Sequence, residues 1–236
     1  MCLKNATLIS CIAKERQTLL KLKDSLEDPS NRLGSWEGND CCKWKGVGCD
    51  AITGHVTKLD LSVSCFWFIS ECSISPFEAR GVNSSLLELE DLNHLDLSGN
   101  NFHGSQIPVS FGSFKKLKHL NLSYSGFGGR VPENLGNLTD LHVLDISKNY
   151  DLYADHVDWV SQLSSLQYLD MSYVYLAKVF NLIQVLNALP FLLHVELSNC
   201  GLYNMRIPLG SSINATFLPN VQFLDLSNNA IWWSNS

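Results

Sequence analysis

Seven segments of this chain align without gaps, and no other feature restricts the fold as tightly. They are VTKLDLS from Val56, LNHLDLSGN from Leu92, LKHLNLSYS from Leu117, LHVLDISKN from Leu141, LQYLDMSYV from Leu166, LLHVELSNC from Leu192 and VQFLDLSNN from Val221. Their starts lie 36, 25, 24, 25, 26 and 29 residues apart. Positions one, four and six are apolar in every copy. Positions four and six point the same way across an outward residue, as in a short strand. Leu95 with Leu97, Leu120 with Leu122, and Leu224 with Leu226 are therefore expected to point into a coil. One copy cannot bury its leucines alone. Stacked coils bury a continuous core and pair each strand with the next in a parallel sheet. The predicted strands centre on 58–61, 94–97, 119–122, 143–146, 168–171, 194–197 and 223–226, with irregular or 3-10 segments opposite. At position nine, Asn100, Asn149 and Asn229 are expected to satisfy loop backbone groups inside the coil, because buried main chain must be paired. Cys200 takes the same place as a buried free thiol. Ser125 and Val174 depart from the pattern, and their coils are expected to close less regularly.

The net charge is −6 and only 17% of residues are charged. A basic footprint is absent, which excludes nucleic acid as a partner. No apolar run reaches the roughly 18 residues of a membrane-spanning helix. Of eight cysteines, Cys2, Cys11, Cys41, Cys42, Cys49, Cys65 and Cys72 fall in the first third, and Cys200 stands apart. There is no C-x-x-C pair, so the common zinc and redox spacings are missing. The cysteines read instead as a disulfide-stapled N-terminal module from an oxidising compartment. Five N-x-S/T sequons, at Asn5, Asn83, Asn121, Asn137 and Asn214, agree with a secretory route and are the candidate glycosylation sites. The start, MCLKNATLIS, has no apolar stretch with a cleavage site. The expectation is that a leader was removed or that the coding sequence begins further upstream.

Residues 12–26 read as a helix: Ile12, Leu19, Leu22 and Leu26 share one face, while Lys14, Glu15, Lys21 and Lys23 face away, and Asp28-Pro29 ends it. Then follow Leu33, Ser35-Trp36, Cys41-Cys42, Trp44, Gly46-Val47 and Cys49. Two repeats add Phe102-x-Gly104-x-x-Ile107-Pro108 and Phe127-x-Gly129-x-Val131-Pro132, and serine follows the sixth position in all seven, from Ser62 to Ser227. These motifs resemble the plant extracellular leucine-rich repeat class and its N-terminal cap, C-x3-ER-x2-LL…DP-x5-L-x-SW…CC-x-W-x-GV-x-C. The resemblance implies the pairs Cys11–Cys41 and Cys42–Cys49. The expected fold is α/β, a right-handed leucine-rich repeat solenoid with a parallel concave β-sheet and a helical, disulfide-stapled cap. The cap spans 1–55 and about seven repeats span 56–236. An insert lies near 63–80, where a local Cys65–Cys72 bridge would restrain the loop, and the repeats over 150–220 are irregular. No C-terminal cap follows the last copy, so the chain is expected to be an incomplete ectodomain. Its last coil should expose Leu224, Leu226 and Ile231, with Trp232 and Trp233 adding apolar area.

After the Leu141 copy comes Asp158-Trp159-Val160-Ser161 before LSSLQYLDMS, and later LIQVLNALPFLLHVELSNC. Both stretches resemble the EIX-receptor and apple scab-resistance type of plant receptor-like proteins. That resemblance implies a cell-surface ectodomain in defence or developmental signalling, on the extracellular side of the plasma membrane. It would bind a protein or peptide ligand and a co-receptor kinase, and be anchored only through a C-terminal helix absent from this chain. If exported alone, the fragment would be apoplastic. The alternatives are a secreted inhibitor of a cell-wall-degrading enzyme, similar to the polygalacturonase inhibitors, and a receptor kinase ectodomain. No motif of an enzyme is present, and no residue is assigned to catalysis, a cofactor or a metal. The acidic ladder Asp60, Asp96, Asn121, Asp145, Asp170, Glu196 and Asp225 reads as a repeat feature. His94 and His119 share a column, about 4.8 Å apart in a regular sheet. They could hold a metal or sense pH, but read as exposed polar residues. The expected ligand-facing residues are His94, Asp96, His119, Tyr124, Lys148, Tyr168, Asp170, Tyr173, His194, Glu196 and Phe223.

Overall fold

The computed structural model describes residues 10–63, 75–208 and 218–234. Cys2, Asn5, Asn214 and the Cys65–Cys72 bridge lie outside the described residues, as do the side chains of Ile231, Trp232 and Trp233. In chain order the elements are helix α1 (Ala13–Asp24) and strands β1 (Val47–Cys49), β2 (Val56–Asp60), β3 (His94–Asp96), β4 (His119–Asn121), β5 (Gly128–Arg130) and β6 (Val143–Asp145). Then come β7 (Asp151–Tyr153), β8 (Tyr168–Asp170), helix α2 (Leu182–Asn187), β9 (His194–Glu196), β10 (Tyr203–Pro208), β11 (Phe223–Asp225) and β12 (Ala230–Ser234). Among the described residues no helix is long and apolar enough to cross a membrane.

Each L-x-L core forms one strand of an eight-stranded sheet in the order β1-β2-β3-β4-β6-β8-β9-β11. From β2 onward the pairing is parallel and in register, so Lys58, His94, His119, Val143, Tyr168, His194 and Phe223 stand side by side. The inward residues Leu59, Leu95, Leu120, Leu144 and Val195 are fully buried. Leu224, on the outermost strand, is 37% exposed. Opposite the sheet run 3-10 turns at Ser84–Glu88, Val109–Ser113, Glu133–Asn137 and Asp158–Gln162, and α2 takes that place in the next coil. The turns pack closely: a Cβ on Gly112 would meet the Asn134 carbonyl at 2.0 Å. Two small parallel sheets, β5 with β7 and β10 with β12, continue the stacking beyond the main strands.

Position nine joins coil to coil. The Asn149 amide donates to the carbonyls of Leu122, Ile146 and Ser147, and its Oδ1 accepts from the N–H groups of Ser125 and Phe127. Asn100 and Asn229 repeat this, reaching back to Leu61 and Leu197. Ser125 does not loosen its coil, contrary to expectation. Its buried hydroxyl donates to the Leu97 carbonyl at 2.8 Å, the bond an asparagine would make. The Cys200 thiol contacts the Met171 carbonyl at 3.2 Å, and burial pushes its pKa up to about 12. Val174 alone among these positions offers no polar group.

The cap covers the first coil. Disulfides join Cys11 to Cys41 and Cys42 to Cys49, with Cα–Cα distances of 5.3 and 5.5 Å. Trp36 stacks on Trp44 at 5.3 Å. β1 pairs antiparallel with β2 and thereby closes the sheet edge. Glu15, expected on the outer face of α1, is instead buried. Its carboxylate accepts from the Val56 N–H at 2.7 Å and from His55 Nδ1 at 2.8 Å, tying the helix to the start of β2. That hydrogen bond holds His55 above the usual histidine range. Arg32 makes a second tie: its guanidinium lies 3.9 Å from the Phe77 ring centre and donates to the carbonyls of Leu61 and Ser62. α1 ends at Asp24, short of Asp28, whose carboxylate holds the next turn through the N–H groups of Arg32 and Leu33.

Asn149→Ala should cost roughly 2–4 kcal/mol, because it strands several buried backbone groups at once. Urea unfolding should show a lower midpoint with an unchanged slope.

Candidate ligand-recognition face

Local turn chemistry shapes the concave face. The residue between the two inward apolar positions is a carboxylate or its amide, and the serine two places on answers it. Oδ1 of Asp60, Asp96, Asn121 and Asp145 each accepts from the N–H and hydroxyl of Ser62, Ser98, Ser123 and Ser147. Asp170 and Asp225 accept from the N–H of Ser172 and Ser227. These bonds end six of the seven strands and explain the D-x-S pattern; after Glu196 the Ser198 N–H donates to the Ser172 hydroxyl instead. The residue after the serine then turns left-handed: Gly99, Tyr124, Lys148, Tyr173, Asn199 and Asn228 have φ between +55° and +74°. Tyr124, Lys148 and Tyr173, expected to face a ligand, therefore stand on the turn beyond the sheet rather than on a strand.

The outward column carries stacked rings. His94 lies on His119 with centroids 4.1 Å apart, and Tyr168, His194 and Phe223 stack at 4.6 and 4.3 Å. Val143 separates the two groups. Glu196 Oε1 accepts from the Tyr168 hydroxyl at 3.2 Å and lies 2.7 Å from His194 Nε2. Burial holds His94 and His119 below the usual histidine range, and raises Tyr168. Beside this column a cleft of about 570 Å³ is lined by Asp96, Tyr124, Asp145, Lys148, Tyr168, Asp170 and Glu196, among others. Burial raises the Asp145 carboxyl to about 6 and also raises Asp170.

The expected ligand-facing residues thus gather on one face. His94, Asp96, His119, Tyr124, Lys148, Tyr168, Tyr173, His194 and Glu196 are half-buried there, and Phe223 is exposed. Asp170 is the exception: at 6% exposure it lies under its neighbours and serves its own turn. Asp145 was absent from the expected set, although its place in the acidic ladder put it in line. Of the sequons, Asn137 is exposed on a 3-10 turn. Asn83 caps another turn through the Ser85 N–H, and Asn121 sits in the middle of the concave sheet.

Comparison with known families matches the leucine rich repeat N-terminal domain over residues 12–50 and the leucine rich repeat over 91–114 and 116–138. Receptor-like protein EIX1 of Solanum lycopersicum is 40% identical over 231 residues, covering 95% of this chain and 22% of that protein. Receptor-like protein EIX2 of the same species is 48% identical over 131 residues, 54% of this chain and 12% of that one. This chain therefore spans about a fifth or less of these relatives. The Arabidopsis thaliana GASSHO1/SCHENGEN3 ectodomain, solved with CASPARIAN STRIP INTEGRITY FACTOR 2, superposes with TM-score 0.66 at 25% identity, covering 91% of this chain and 27% of that one. The BIR3–SERK2 complex from Arabidopsis thaliana gives TM-score 0.51 at 28% identity, over 66% of this chain and 81% of that one.

The raised Asp145 carboxyl binds its proton more tightly folded than unfolded. Its contribution to stability is therefore full below the unfolded value near 3.9 and is lost as pH rises through about 6. Asp145→Asn keeps the turn, as Asn121 shows, and removes this loss. The variant should gain about 1–3 kcal/mol over wild type at pH 7.5 and almost nothing at pH 4, read from paired urea titrations. Equal stabilities at pH 7.5 would contradict the assignment.

Proposed function

The chain is a plant leucine-rich repeat protein of the receptor-like type, and from that premise we propose that it is an extracellular ligand-recognition segment. It would sit on the outer side of the plasma membrane within a longer receptor-like protein, in defence or developmental signalling. The division into a cap, 1–55, and a repeat array, 56–236, belongs to the same reading, as do the glycan acceptors. Its partners would be a protein or peptide ligand on the concave face and a co-receptor kinase. Two neighbours support those partner classes, one solved with a named factor and one as a complex of two proteins. The chain carries no catalytic role in this reading.

One observation carries the proposal. Tyr124, Lys148 and Tyr173 hold a left-handed backbone that costs a side-chain-bearing residue about 1–2 kcal/mol. Gly99, Asn199 and Asn228 fill the same turn position with residues that adopt it readily. The strained residues therefore sit there for their side chains, and Tyr124 and Lys148 line the concave cleft. Tyrosine brings large contact area at small entropic cost, which suits a recognition surface.

A displayed random-peptide library selected on the immobilised chain tests this. Selected peptides should bind wild type at least about tenfold tighter than a Tyr124→Asn, Tyr173→Asn double variant, which should itself be slightly more stable. Failure to select any peptide, or equal binding to both proteins, would contradict the proposal.

A further inference from the structure

We propose that His94, His119 and Asp96 form a binding site for a divalent first-row transition metal of the zinc class. Strand β3 reads His-Leu-Asp, so His94 and Asp96 project from the same face, and the parallel register sets His119 beside His94. One ligand atom from each residue lies within 4.8 Å of the other two. His94 Nε2 is shielded from solvent and has no hydrogen-bond partner. A ring nitrogen left in that state loses its hydration without a replacement, which a metal bond would supply. Two imidazoles and one carboxylate are a donor set for zinc or ferrous iron that leaves coordination positions open. Asp96 also lines the concave cleft beside the column.

Among the described residues, Asp96 is the ladder carboxylate with two histidines gathered beside it. Asp96 spends Oδ1 on Ser98, and its Oδ2 is approached by the Asn121 amide at 3.5 Å, an outer contact of the kind that orients a metal-binding carboxylate. Lys58 pairs with Asp60 at 3.1 Å, which leaves Asp96 without a lysine but places a like charge beside the site. The rings lie nearly parallel, 10° apart, so their donor atoms stand side by side rather than converging. Metal–ligand distances near 2.0–2.2 Å need donors about 3.3 Å apart, and rotation about the soft imidazole χ2 supplies that closure. The similar trio Glu15, His55 and Asp91 is already engaged with the Val56 N–H and with Lys116, and the Cys11, Cys41 and Cys42 group is oxidised.

The test is a cobalt titration of the tag-free 236-residue chain followed by visible absorption, with calorimetry using zinc. Wild type should bind one equivalent with the absorption of a nitrogen- and oxygen-ligated ion. His94→Asn and His119→Asn should each weaken binding at least about 100-fold, and Asp96→Asn about 10-fold. The last variant keeps its turn, because Asn121 makes the same one. Lys58→Ala should tighten binding, since it removes the neighbouring positive charge. The proposal is overturned if wild type takes up no stoichiometric metal. It is equally overturned if the two histidine variants, folded by circular dichroism, bind as wild type does.

Discussion

A single buried side chain at position nine fixes how one coil sits on the next. Apolar burial supplies most of the driving force, yet it is non-directional and would tolerate a slipped stack. The Asn149 amide does not tolerate one. It reads a carbonyl of the preceding coil, two of its own, and two N–H groups at once. Buried polar groups must find partners or pay the full desolvation penalty, so these bonds select one register. The substitutes follow the same logic. Ser125 and Cys200 retain the bond to the preceding coil with fewer donors.

Register then shapes the outer face. Because like positions align across β2 to β11, side chains of one column become neighbours on a sheet, and aromatic rings stack where they recur. The carboxylate column is largely consumed in ending the strands. Its chemistry is local turn closure first and surface charge second. What remains for recognition are the rings of the outward column and the left-handed residues on the turn. The cap matters because it supplies β1 as an antiparallel partner and Glu15 as an acceptor for the first N–H of β2.

Much of this was legible in the sequence. The seven copies located every strand of the parallel sheet, and the motif around Cys11 and Cys49 located the cap. The failures share a cause. Glu15 was assigned to the solvent side because a charge on an amphipathic helix is usually solvated, and periodicity does not reveal a backbone N–H waiting for it 41 residues away. Ser125 was judged by its identity rather than by the one bond its hydroxyl must make. Asp170 was expected at the surface with the rest of its ladder but is buried within β8, and the tyrosines at 124 and 173 stand on the turn that follows the strand rather than on it. The signal for that turn, an acid two residues before a serine in nearly every copy, was present in the alignment.

Native-state hydrogen exchange tests most directly whether the position-nine side chains hold the coils in register. The amides of Ser125 and Phe127, both accepted by Asn149, should exchange only through global unfolding. Those of Asn149 and Asp151 occupy the equivalent places one coil on, where Val174 provides no acceptor, and should exchange through smaller local openings. Fast exchange at Ser125 and Phe127, or equal protection in both coils, would contradict the account.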